Sequence, residues 1–174
     1  MVSLQILFYI FIALFAVIGI IRGFRKEIVV TVAGILALFV IEVVLPKILT
    51  GSLDATKALT LNLIVLFACA FFGYQTPSFR RLTETGRFER NSSLDLILGG
   101  LAGALNGYIL FSSAWFYLAE AGYPFTGIMA PDPSTAVGQN AINLLINAFP
   151  SILIGSWLYI ALAAAIAIVL AVII

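Results

Sequence analysis

Few of the 174 residues could do chemistry, and most of those lie at the ends of long apolar runs. Glu42 is the one acid well inside such a run. Counted at 1.5 Å per residue, it lies roughly 22 Å beyond Glu27, towards the far interface. A carboxylate at membrane depth is a candidate transport or proton site. Pro46 and Lys47 follow at once, so a carboxylate that pairs with Lys47 or reaches for the interface is the plainer reading. Asp95 opens another apolar run, at the depth expected for Arg22 and Arg25. It could relay a proton or an ion. It could equally cap its own helix beside an arginine, where the positive helix end favours it. Asn62 and Asn106 are isolated amides within apolar runs, suited to hydrogen bonds between helices of about 1 kcal/mol. Asn140, Asn143, Asn147 and Ser151 recur at helical spacing and form one amide face. That face either lines a re-entrant, water-accessible cavity or lies flat at the interface with Ile142, Leu145, Ile146 and Phe149 turned into the lipid.

The inventory excludes several function classes. There is no histidine, which removes the commonest general base and metal ligand. Cys69 stands alone in an apolar run, where a thiol serves as packing. No phosphate-binding loop is present, and Ser112 and Ser113 have no base near them in sequence. The expectation is a chain with no catalytic residue, no cofactor and no metal site. Lipid or pigment contacts are left open, because ligation by an amide, a backbone carbonyl or water needs no histidine. Net charge is +1, so there is no basic footprint for nucleic acid.

Of the chain's residues, 63% are hydrophobic and 10% charged, where a soluble domain has about a quarter charged. The pattern predicts an all-α polytopic bundle of about five membrane-spanning helices: 3–21, 28–45, 58–74, 94–118 and 152–174. Pro46 is expected to end the second, since proline cannot donate to the helix ladder. Pro150 is expected to separate a short helix over 139–149 from the fifth span. A second surface helix is expected over 78–90, where Arg80 and Glu84 stand four apart. Ser92 and Asp95 fit a capping box for the fourth span. Trp115 and Tyr117 near its end are expected at the interface, as Trp157 and Tyr159 are on the fifth. Seven Lys or Arg fall in segments 22–27 and 75–93, against Lys47 and Lys57 on the other side. The positive-inside rule then puts both segments in the cytoplasm and the N-terminus outside.

Gly99, Gly103 and Gly107 stand four apart and make a smooth stripe, with Gly19 and Gly23 as a second small pair. Such stripes let helices approach backbone to backbone in lipid. The stripe should pack against the first or second helix, or against a second copy of the fourth. Two stretches together resemble the colicin V production protein family of bacterial inner-membrane proteins: Gly19-Ile-Ile-Arg22-Gly23-Phe24, and Asp95-x-x-x-Gly99-x-x-x-Gly103-x-x-x-Gly107. The resemblance covers a four-helix core within 1–120. The Pro-rich loop, short amphipathic helix and fifth span of 121–174 lie outside it. It implies a non-enzymatic protein linked to toxin export or envelope functions. The expected role is a membrane scaffold or accessory subunit that contacts the bilayer and other membrane subunits, or its own copies. A small transporter or channel is the alternative.

Overall fold

The computed structural model describes residues 3–49, 51, 53–75 and 92–173. Among them, seven helices follow in order: α1 Leu4–Arg22, α2 Phe24–Ile48, α3 Ala55–Gln75, α4 Ser92–Glu120, α5 Ala136–Ile146, α6 Phe149–Leu153 and α7 Ser156–Ile173. Among the described residues there is no strand. Helices α1 to α4 are each long and apolar enough to cross a membrane. The run α5–α6 meets α7 at a bend of 69°, and this pair makes a fifth span if counted as one. The protein is thus an all-helical bundle with four to five potential membrane spans.

Gly23 alone separates α1 from α2. Its φ of 85° with ψ of 157° is open to glycine and strained for other residues, so the chain reverses within one residue.

The widest helix contact is α1 on α4, and it is glycine on glycine. A Cβ on Gly19 would run into the Gly99 carbonyl and come within 2.8 Å of Gly103 Cα. One on Gly107 would lie 3.0 Å from the Phe11 carbonyl oxygen. The stripe therefore seats on α1 of the same chain.

On the other side of α4, the core is built from α2 and α3. Val30, Ala37, Leu38 and Ile41 of α2 are buried with Leu59, Leu66 and Ala70 of α3 and with Ile109, Leu110 and Leu118 of α4. Helix α7 packs on α2, burying Leu158 and setting the Tyr159 ring 5.8 Å from that of Phe39. Ile10, Leu14, Val17 and Ile21 form an exposed stripe along α1, as do Ile64, Phe67 and Phe71 along α3. Continuous apolar faces of this kind are what a helix shows to lipid.

Several boundaries and placements differ from expectation. Helix α2 begins at Phe24, not near Ile28, because Gly23 needs no longer turn. It also runs through Pro46 to Ile48. A π-helical turn over Val40–Val44 precedes the proline. Its wider spacing relieves the clash between a proline ring and the preceding turn. Pro150 does not break the chain: it sits in the first turn of α6, where its missing N–H costs nothing. The helix is interrupted before Pro150, at Asn147 and Ala148, and the 69° bend falls after it, around Gly155 with φ of 86°. Trp115 and Tyr117 are core residues, 3% and 2% exposed, rather than interfacial ones. The structure places loop 121–135 and α5 over that end of α4. The surface helix expected over 78–90 lies outside the described residues, as does the side chain of Ser92.

Candidate functional site

Four helices converge on one carboxylate. Glu27, in the first turn of α2, has no exposed surface. Its Oε1 lies 3.2 Å from Arg22 Nε, at the end of α1. That contact is electrostatic, since Oε1 makes no aligned hydrogen bond. Its Oε2 accepts from Asn106 Nδ2 of α4 at 2.8 Å and from the Tyr74 hydroxyl of α3 at 3.3 Å. Asn106 Nδ2 also donates to the Glu27 carbonyl at 3.0 Å, and Asn106 Oδ1 accepts from the Thr31 hydroxyl at 2.7 Å. Two acceptors on one side and a donor on the other fix the orientation of this amide.

Arg22 is held from three directions. Beyond Glu27, it donates from a terminal guanidinium nitrogen to the Tyr74 carbonyl at 3.3 Å, and its guanidinium carbon lies 4.3 Å from the centre of the Tyr74 ring. A planar delocalised cation suits both contacts. The Arg22 side chain keeps 21% exposure and Tyr74 and Thr31 are half-buried, whereas Glu27 and Asn106 are buried.

Asp95 completes this end of the bundle. Its Oδ1 accepts from the Phe24 N–H at 3.2 Å. The carboxylate of α4 therefore caps α2, beside that helix's positive end. Gly23 makes room for it: a Cβ there would stand 2.8 Å from Asp95 Oδ2.

Glu42 stands apart, 15 positions beyond Glu27, or about four turns. It lies within the π-helical turn and accepts from the Tyr117 hydroxyl at 2.8 Å. Both acids of α2 thus face α4. Between them the seam is closed by side-chain packing: a Cβ on Gly34 would lie 2.9 Å from the Ile109 side chain. Asn62 is half-buried on α3 and joins neither group. Asn140, Asn143 and Asn147 are exposed, with the Asn147 amide donating to the Asn143 carbonyl at 2.8 Å. Ser112 accepts from the Phe149 N–H at 3.1 Å and ties α6 to α4.

No protein-family model, curated protein or solved structure matches this chain.

Of the candidates named from sequence, Arg22 and Asn106 belong to the buried cluster, Asp95 and Gly23 adjoin it, and Gly19, Gly99, Gly103 and Gly107 set the helix separation that forms it. Glu27, Thr31 and Tyr74 were not among them. In sequence Glu27 follows three cations, the pattern of a solvated acid in a charged turn. The available signal was the spacing of Glu27, Thr31 and Gly34, which places one acid, one hydroxyl and one gap on a single helical face.

Proposed function

We propose that this protein is a non-catalytic scaffold or accessory subunit in a bacterial cytoplasmic membrane, and a specialised member of the colicin V production family. The observation that carries the reading is the closure of the Glu27 cluster. Arg22, Glu27, Thr31, Tyr74 and Asn106 spend their polar groups on one another and join α1, α2, α3 and α4 at one point. Such a cluster fixes geometry, and it leaves few groups to bind and release a substrate. Segment 121–174, which lies beyond the resembling core, supplies the surface for a partner subunit. In the orientation favoured by the positive-inside rule, segments 22–27 and 75–93 face the cytoplasm and the N-terminus faces outward.

Mild-detergent purification with identification of co-purifying proteins tests this reading. A stable larger complex is expected. An isolated small particle with no protein partner counts against it. Reporter fusions test the orientation: a fusion after Gln75 should be active only as a cytoplasmic reporter.

A small transporter or channel is favoured by one observation, the carboxylate of Glu42 inside a π-helical turn. Such turns recur at functional sites, and membrane-embedded acids do likewise. Flux in liposomes from the purified protein, lost on Glu42→Gln, would put this reading first.

A further inference from the structure

At the end of the bundle away from Arg22, a cavity of about 370 Å³ opens between α1, α4 and the segment that follows α4. The first turn of α1 supplies Ser3, Leu4 and Gln5. Trp115 contributes from α4, Met129 from the loop and Val137 from α5. This volume falls in the range of small-ligand sites. The walls are apolar and aromatic, and the polar lining from Ser3, Gln5 and Thr135 is uncharged. The one acid there, Asp132, has Oδ1 engaged by the Ser134 N–H and hydroxyl.

Gln5 adds a separate observation. Its Oε1 is buried and makes no hydrogen bond. A buried acceptor without a donor costs about 1–3 kcal/mol. The terminal torsion of a glutamine is broad, so its amide turns at little cost towards a donor placed in the cavity. Gln5 lies in the first turn of a membrane-length helix, the level at which a headgroup meets an acyl chain.

We propose that this cavity binds a neutral amphiphile with a hydroxylated headgroup. A headgroup hydroxyl donates to Gln5, and the apolar part lies against Trp115, Met129 and Val137. Among the described residues, the lining holds no cation for a phosphate headgroup to meet.

The chain has two tryptophans, so Trp157→Phe leaves Trp115 as the single indole reporter at the cavity wall. Trp157 is 65% exposed and its replacement leaves the core intact. The probe is a monoacylglycerol brominated on its acyl chain, titrated into the full-length Trp157→Phe protein in nanodiscs. Saturable quenching of Trp115 is expected. Gln5→Leu should weaken it about fivefold, as loss of one hydrogen bond predicts, and Val137→Phe should weaken it by filling the space. Val137 is 59% exposed, so this second variant folds even where Gln5→Leu does not. Linear quenching that is the same in all three proteins overturns the site. Equal quenching by brominated phosphatidylglycerol overturns the neutral class, and full displacement by free glycerol overturns the need for an apolar part.

Discussion

At the scale of single residues, the Arg22–Glu27 pair is asymmetric. Glu27 is wholly buried, whereas the Arg22 side chain keeps 21% exposure at the mouth of the cluster. Removing one partner of a buried pair costs about 3–5 kcal/mol, mostly through the charge left behind. Arg22→Leu leaves a wholly buried carboxylate without its cation, so it should fall in that range. Glu27→Gln leaves an arginine that already touches solvent, and should cost clearly less. Arg22→Leu with Glu27→Gln should recover most of the loss. Denaturant unfolding of the four proteins in bicelles checks the cycle, and simple additivity would mean the two groups are not coupled. Asp95→Asn weakens a cap on α2 and should cost about 1 kcal/mol. The same amide can still accept from Phe24, so the mutant should assemble. The sequence marked Asn106 as an amide isolated in an apolar run, Asp95 as the acid that opens one, and Arg22 through the Gly-x-x-Arg-Gly-Phe stretch. Glu27 escaped because a charge beside three other charges looks solvated. Only the one-residue turn at Gly23 moves it inside.

At the scale of elements, the contact of α1 with α4 governs the cluster. Gly103 faces the Phe15 carbonyl, and a Cβ on it would stand 2.9 Å from Gly19 Cα. Gly103→Leu forces the helices apart and carries Arg22, three residues beyond Gly19, away from Glu27. The expected cost is about 3 kcal/mol or more, at the upper end for overpacking, read as loss of monodisperse protein in detergent. Gly51→Leu is the control, because nothing lies within 4 Å of a Cβ there. The loop before α5 gives a pH test. Hydrogen bonds from the Ser134 hydroxyl and N–H hold the exposed Asp132 carboxyl below its usual range. Its folded value lies below its unfolded one, so the turn is fully supported above the ordinary carboxylate range. That support is lost as pH falls through the folded value. The Ser134 amide resonance should report the change at acid pH, and Asp132→Asn should remove the titration. The helices themselves were legible from apolar run length. Two interruptions were not, because proline was read as a stop at both Pro46 and Pro150. A preceding π-helical turn tolerates the first, and a first-turn position tolerates the second.

At the scale of the whole molecule, the glycine contact and the polar cluster both belong to α1–α4, while α5–α7 attach from outside. Helix α7 meets the core through α2, and α6 through α4. In water, uncovering Leu38, Ile41 and Phe39 of α2 would be severe. In a bilayer the displaced surface is met by lipid tails as apolar as leucine, so burial between helices adds little. What holds the core in lipid is close backbone packing and satisfied polar groups. Neither depends on residues after 135, apart from two ties to α4: the Phe149 N–H to the Ser112 hydroxyl and the Tyr108 hydroxyl to the Asn147 carbonyl. A chain ending at residue 135 should therefore still insert and fold in bicelles, with protease resistance close to that of the full chain. Glu27→Gln should destabilise it by the same amount as in the full chain. In detergent, where cover by lipid is poorer, the truncated chain should unfold more readily. If the missing segment is the docking surface for a partner subunit, truncation should also abolish co-purification while leaving the core folded. Failure of the truncated chain to accumulate in the membrane would show that α7 is structural, and would place the bundle's centre on α2 rather than on the contact of α1 with α4.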